Sequence, residues 1–204
     1  MVVDESSIVS GRGAYIAGRR GFMPDRLRLR HNGFLSSRPV ANEWTILRAS
    51  WFAQNFSEGH LLEPVLEGTV ALPAGDVAEP FIDADDIANV AVAAFTDRRH
   101  VGQLYELTGP RLLTFADAVA EIGAAAGRKL NYVPISAAEY ESMLAQYAPP
   151  EFANWLSALF TEVLDGRNAH LNDGVQRALG RPPRDFADYA RAAAATGVWN
   201  ATAR

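Results

Sequence analysis

The chain has 204 residues, of which 49% are hydrophobic and none is cysteine, so it is long enough for one substantial domain and excludes disulfides, thiolate metal sites and a cysteine nucleophile. A formal net charge of −5 gives no reason to expect a nucleic-acid partner. No apolar run approaches the roughly 18 residues of a membrane span, and no signal-peptide core is present, so we expect a cytoplasmic protein without membrane association.

The N-terminal part differs from the rest in charge. Residues 1–40 contain seven arginines against three acidic residues, a net charge of +4 in a chain that is negative as a whole. Residues 8–13 resemble the tail of a strand running into a Ser-Gly turn, with Ser10 at the carboxyl end. Residues 15–42 show neither helical nor alternating periodicity. We therefore predict an irregular segment over 1–42, with a strand remnant, and a second region over 43–204.

A buried strand is predicted over residues 44–47, where a short apolar and β-branched run ends at Arg48. The aromatic stretch that follows contains two amides and is typical of a site loop. Since ligands of open α/β sheets lie beyond the carboxyl ends of the strands, Arg48, Asn55 and the rings of Trp51 and Phe52 are the first site candidates. In the alternative interpretation, which periodicity alone favours, the rings are core side chains and Arg48 pairs with a carboxylate.

The remaining elements are mainly helices separated by short strands. Residues 57–67 predict a helical or irregular piece broken by Pro64, and residues 68–75 a short strand closed by a turn. Capping signals and periodicity then predict five helices: about 85–96, Thr114 to Gly127, one capped by Ser136 and Glu139, 151–164 and 185–195. Two further short strands are predicted over 103–108 and 130–135. Such a series suggests a helical substrate lobe.

The aspartates near residue 85 and the four histidines are the residues of this sequence that could bind a metal ion. Asp83, Asp85 and Asp86 are candidates for metal ligands or general bases, but a helix cap with one salt bridge is the favoured interpretation. The four histidines show no ligand spacing. We therefore expect no metal site.

Four motifs, in this order, resemble the NmrA-like branch of the atypical short-chain dehydrogenases. They are residues 44–48 with Phe52, Asn55 and Phe56, then 72–76, 81–88 and 105–110. The resemblance covers about residues 43–199. It implies an α/β fold with a Rossmann-like parallel sheet and a helical C-terminal substrate lobe, and a function in NAD(P)H-dependent quinone reduction or dinucleotide sensing.

Part of the family pattern is missing. No GxxGxxG or GxGxxG turn follows a strand, so the pyrophosphate-binding half of the Rossmann fold is predicted to be absent and binding of NADP or NAD to be weak or lost. Lys129, the only lysine, has no tyrosine four residues before it, so no Tyr-x-x-x-Lys pair exists and the catalytic residues stay unknown. A truncated gene with a shifted reading frame would explain the missing turn and the irregular segment. The missing strands would leave the flank of the strand at 44–47 open to association with a second copy.

The resemblance also implies roles for the candidates. Trp51 and Phe52 would wall a quinone or similar small acceptor, and Asn55 would donate to the nicotinamide amide or to an acceptor oxygen. Arg48, as part of the cofactor site, would fix the loop, and Ser10 would contact the cofactor from the preceding strand end. Two other interpretations stay open. One is a non-catalytic regulator that binds a dinucleotide or a protein, and the other is an inactive remnant.

Overall fold

The computed structural model describes residues 44–200 and the strand Ala14–Ile16. Ser10 and the strand tail predicted at 8–10 lie outside the described residues. The chain forms two compact units, each built from separate stretches. The first comprises Met1–Ser50, Ala84–Thr108 and Asn172–Pro183, and the second comprises Trp51–Asp83, Gly109–Leu171 and Arg184–Arg204. The domain boundary predicted near residue 42 stays a prediction.

The elements alternate between short strands and helices, as expected for an α/β protein. In chain order the strands are β1 (Ala14–Ile16), β2 (Thr45–Ala49), β3 (Thr69–Leu72), β4 (Ala78–Glu79), β5 (Gln103–Leu107), β6 (Leu113–Thr114) and β7 (Asn131–Pro134). The helices are α1 (Leu62–Glu67), α2 (Ala84–Thr96), α3 (Phe115–Ala126), α4 (Ala137–Leu144), α5 (Pro150–Val163), α6 (Gly174–Leu179) and α7 (Phe186–Ala195). None of these helices combines the length and the apolar character that a membrane crossing requires.

The first unit contains a parallel sheet in the order β1-β2-β5. β2 therefore has a partner on both sides, and the prediction of an exposed flank on this strand is wrong because β1 covers it. The prediction that the strand ends at Arg48 is also wrong. Burial alternates along β2, and Arg48 lies on the face that is only half-buried, where a charged side chain can remain within the strand.

Helix α6, which the sequence patterns did not predict, covers the edge of β5 that faces away from β2. The carbonyl of Leu107 accepts a hydrogen bond from Ser50 N at 3.0 Å, so it points toward β2. Because successive residues of a strand point in opposite directions, the carbonyls of Leu104 and Glu106 face the other edge. Gly174 lies so close there that a Cβ atom on it would be 2.2 Å from the Glu106 carbonyl oxygen. The helix blocks this point of the edge against a further strand.

The core of the second unit is an aromatic cluster. Trp51 stacks on Phe160 with ring centroids 5.3 Å apart, and its ring meets the edge of Phe115 at 5.9 Å. Phe56 lies between Phe115 and Phe186, with centroid distances of 6.3 and 5.8 Å. All five rings are almost completely buried. Each large ring removes roughly 150–250 Å² from water, so this cluster stabilises the packing of α3, α5 and α7 in the core.

Helix ends in the second unit follow the predicted caps. The side chain of Thr114 accepts from Asp117 N, and Asp117 in turn accepts from Thr114 N, which makes a capping box at the start of α3. Ser136 and Glu139 do the same for α4. Gly127 ends α3 with φ +65°, a left-handed conformation that favours glycine. These predictions are confirmed.

The predicted break at Pro64 is wrong. Pro64 is the third residue of α1, and the first-turn N–H groups of a helix have no acceptor within the helix, so proline loses no bond there. The short antiparallel pair of β4 with β6 was also not predicted. Strands of two residues carry too little periodicity to be detected in a sequence.

Candidate functional site

The candidate site of the second unit is the one-turn 3₁₀ helix Ala53–Phe56, called the site turn below. Its first residue and the residues just before it are held by backbone hydrogen bonds to a neighbouring segment. Ala53 N donates to the Ile82 carbonyl at 2.8 Å, and Ile82 N donates to the Trp51 carbonyl at 2.9 Å. Phe52 and Ile82 form a parallel bridge. The backbone that leads into the site turn is therefore fixed on one side.

Exposure divides the aromatic and amide residues of this stretch into two groups. Trp51 is 4% exposed and Phe56 is fully buried, so both belong to the aromatic core. Phe52, Gln54 and Asn55 are half-buried. Of the two aromatic residues predicted to wall an acceptor, only Phe52 retains surface that a ligand can reach, and the role of Trp51 stays a prediction.

Asn55 has the carboxamide best suited to bind a ligand. Its side chain makes no hydrogen bond with any residue in the described part of the chain, although it is half-buried. Gly59 lies close to its backbone, and a Cβ atom at that position would be 3.0 Å from the Asn55 Cα. A half-buried amide with donors and an acceptor to spare can hydrogen-bond the oxygen or the amide of a bound molecule.

Gln54 is engaged in a network that the sequence did not reveal. Its Nε2 donates to Asp83 Oδ1 at 2.7 Å, and Arg184 Nη1 donates to Asp83 Oδ2 at 2.9 Å. The Asp83 side chain is 1% exposed. Buried carboxylates are costly unless they are paired and hydrogen-bonded, and both oxygens of Asp83 are. The carboxylate thus links the site turn to the segment before α7.

Asp86, in the first unit, forms a salt bridge of its own. Its Oδ1 lies 2.7 Å from Arg181 Nη2, and its side chain is 2% exposed. Asp83 is paired with Arg184 in the second unit, so these two carboxylates make two salt bridges, where the favoured interpretation of the acidic run predicted a helix cap and one salt bridge. No group of three or more acidic or histidine side chains within the described residues could hold a metal ion.

Arg48, in the first unit, is paired across the sheet. It stands opposite Glu106 in the register of β2 and β5, and its Nη1 lies 3.3 Å from Glu106 Oε1. Both side chains remain about one-quarter exposed, at 25% and 28%. Arg48 thus has the carboxylate partner that the alternative interpretation predicted. Its contribution to cofactor binding stays a prediction.

A cleft of about 490 Å³ lies elsewhere in the second unit, beyond the carboxyl ends of the parallel strands β3 and β7. Pro73 and Gly75 follow β3, Ser136 follows β7, and Phe160 and Thr161 of α5 form the far wall. The hydroxyl of Ser136 is already used in the helix cap, and Thr161 bonds the Ser157 carbonyl. These two hydroxyls are therefore engaged within the protein.

The described residues fit one end of a dinucleotide better than the other. Asn55 and Phe52 can meet a nicotinamide ring, which needs an amide partner and an apolar surface. A pyrophosphate needs a glycine-rich turn at a helix start, and none of the described helices begins at such a turn. Helix α2 instead has Asp85 and Asp86 in its first turn, which would repel a phosphate.

Comparison with known proteins finds no matching family model. Among curated proteins, the uncharacterized oxidoreductase YesF of Bacillus subtilis is 38% identical over 161 residues, which are 77% of this chain and 56% of YesF. The NAD(P)H azoreductase of Xenophilus azovorans is 35% identical over 154 residues, 74% of this chain and 53% of the azoreductase. The chain spans about half the length of these relatives.

Among solved structures, the NADPH-dependent quinone oxidoreductase QOR2 of Escherichia coli has the same fold. The TM-score is 0.68 at 20% identity, with 87% of this chain and 66% of QOR2 covered. A second structure of QOR2, complexed with NADPH, gives a TM-score of 0.65 at 22% identity over 79% of this chain and 56% of QOR2. The chain thus has the fold of Rossmann-type reductases, as its sequence predicted.

Proposed function

We propose a function for this chain from the premise that it belongs to the NmrA-like branch of the atypical short-chain dehydrogenases. The function is NAD(P)H-dependent oxidation–reduction, in which a hydride passes from reduced nicotinamide to a quinone or a similar small acceptor. Supporting this, one relative is named an NAD(P)H azoreductase and a protein of the same fold is an NADPH-dependent quinone oxidoreductase. The alternatives are a regulator that binds without turnover and an inactive remnant.

The observation that carries the proposal is the carboxamide of Asn55. It is half-buried on a backbone that is fixed at its entry, and it makes no side-chain hydrogen bond within the described residues. Because the Asn55 amide is not used inside the described part of the protein and still reaches solvent, it can exchange a water molecule for the oxygen or the amide of a bound molecule. We assign Asn55 to the nicotinamide amide or to an acceptor oxygen.

The chemical demands on the protein are small. Bound nicotinamide supplies the hydride. The residues of this chain would bind and orient the acceptor and exclude water from it. Phe52 offers an apolar ring surface for a planar acceptor, and Trp51, which stacks on Phe160, is the second residue proposed to wall it. A quinone is well matched to such a site because it needs only stacking and hydrogen bonds to its two carbonyl oxygens.

Two further residues are proposed to belong to the cofactor-binding site. Arg48 carries a positive charge that its pairing with Glu106 holds in place, and Ser10 offers a hydroxyl at the end of the predicted first strand. Both proposals rest on the family resemblance and on chain position. With no glycine-rich turn, we expect binding of NADP or NAD to be weak.

The decisive experiment is a titration of the purified chain with NADPH and with NADH, followed by nicotinamide and tryptophan fluorescence. A quinone and an azo dye are then added in turn while absorbance of the reduced cofactor is followed. Saturable binding with oxidation dependent on the acceptor would support the proposal. Binding without oxidation would favour the dinucleotide-sensing regulator, and no binding at millimolar cofactor by a folded protein would favour the inactive remnant.

A further inference from the structure

The site turn is held at both ends by side chains that are distant in sequence. At its start, the Gln54 side chain donates to Asp83 at 2.7 Å. Just after its end, the Ser57 hydroxyl accepts from the Tyr189 hydroxyl at 2.8 Å. Tyr189 is 4% exposed and belongs to α7. These bonds act on the two residues that flank the half-buried Asn55 and the buried Phe56.

Backbone hydrogen bonds within and just after the site turn also involve Gln54. The Gln54 carbonyl accepts from Ser57 N at 3.0 Å and from Glu58 N at 2.8 Å. Any rotation of Gln54 would therefore weaken the bonds that form the turn and would move Asn55 with it. Asp83 resists such a rotation because its other oxygen is anchored by Arg184, 2.9 Å away.

We infer that Asp83 is a positioning residue of the proposed acceptor site, and that it fixes the direction of the Asn55 carboxamide by holding the side chain of Gln54. The inference rests on the proposed function and adds residues that neither touch the acceptor nor carry its chemistry. Small displacements of a binding group lower turnover because hydride transfer needs a close and aligned approach. Loss of the positioning carboxylate should therefore lower turnover by at most as much as loss of the group that it aligns.

The test begins with Gln54→Met, which keeps the length of the side chain, removes its amide and leaves the Asp83–Arg184 pair in place. Gln146→Met is the matched control, because Gln146 is exposed. We expect Gln54→Met to speed hydrogen–deuterium exchange at Ser57 N and Glu58 N and to lower kcat/KM for the quinone by about two- to tenfold, no more than loss of the Asn55 carboxamide itself would. The thermal midpoint should fall below that of the control, because the buried Asp83 loses one hydrogen-bond donor.

Gln54→Glu separates positioning from packing. At neutral pH the new carboxylate faces Asp83, and repulsion between like charges should free the turn. When the pH falls and the new carboxyl binds a proton, it can again donate to Asp83, so the protection of Ser57 N, measured as its exchange rate relative to that of an unfolded chain at the same pH, should return. Loss of packing alone would give a protection that does not recover on acidification. Tyr189→Phe tests the other end of the turn and should speed the same exchange to a smaller extent.

The outcomes separate this inference from the proposed function. Exchange in Gln54→Met equal to that in the control would overturn the inference, and faster exchange with unchanged turnover would overturn the positioning role. If the unmodified chain does not oxidise NADPH with the quinone, the proposed function fails. The exchange results and the pH recovery of Gln54→Glu then decide alone whether Asp83 holds the turn.

Discussion

The indole N–H of Trp199 donates to the backbone carbonyl of Phe56 at 2.8 Å, across 143 positions of the chain. Both side chains are essentially inaccessible, at 1% and 0% exposure. The C-terminal part of the second unit is therefore bonded directly to the end of the site turn. A truncation before residue 199 would remove a donor from a buried carbonyl.

Trp199→Phe should destabilise the second unit. The substitution keeps an aromatic ring but leaves the Phe56 carbonyl without its donor, which costs about 1–3 kcal/mol when the group is buried. The measurement is the free energy of unfolding from denaturant titration. Trp155→Phe is the control, since Trp155 is 41% exposed on α5 and its loss should change stability by less than about 0.5 kcal/mol. Equal losses in the two variants would contradict the assigned role.

Gly174→Ala should destabilise the first unit. A Cβ atom at this position would lie 2.2 Å from the carbonyl oxygen of Glu106, so α6 must move away from the edge of β5 at a cost of about 3 kcal/mol or more. Gly75→Ala is the comparison, because Gly75 has a positive φ of 51° but no heavy atom within 4 Å of the added Cβ. Strain alone should cost that variant about 1–2 kcal/mol. Equal losses of stability in the two variants would mean that α6 can move away from the edge of β5 without an additional cost.

His100 should make the first unit less stable in mild acid. Arg99 Nε donates to His100 Nε2 at 3.1 Å, so the neutral ring carries its proton on Nδ1 and donates it to the Tyr105 hydroxyl at 2.8 Å. Burial and, next, the charge of Arg99 lower the pKa of His100 below its usual value near 6.5. The unfolded chain then binds the proton more tightly than the folded chain does.

The stabilising contribution of His100 is therefore complete above about pH 6.5 and is lost as the pH falls toward the lower pKa of the folded state. Denaturant titrations between about pH 5 and 8 should show stability rising with pH across this window. His100→Gln should make this rise smaller. A rise that is unchanged in His100→Gln would exclude this histidine as its origin.

Asn55→Ala should weaken the acceptor or nicotinamide interaction without affecting stability. One hydrogen bond contributes about 0.5–1.5 kcal/mol, so kcat/KM should fall roughly two- to tenfold. The unfolding free energy should stay the same, because the Asn55 side chain bonds to no other residue in the described ranges. Asn154→Ala, on the exposed face of α5, is the control. Steady-state kinetics of NADPH oxidation with a quinone measure the effect, and rates equal to those of the control would remove Asn55 from the site.

The sequence by itself determined the elements whose signals are local. The capping boxes at Thr114 and Ser136 and the left-handed Gly127 were predictable because each depends on residues within one helical turn. The strand near residue 45 and the Rossmann-type fold were predictable from four short motifs that follow one another in the chain. The site turn was proposed as a site because polar groups after a buried strand are a local pattern.

The tertiary structure decided which side chains are used for packing and which remain available. Trp51 and Phe52 are adjacent and both aromatic, yet one is in the core and the other is half-buried, since their surroundings come from α3, α5 and the segment near Ile82. The partners of Gln54, Phe56 and Gly174 lie 29, 143 and 68 positions away. Periodicity cannot reveal such pairs, because it reports only on neighbours within a strand or a helical turn.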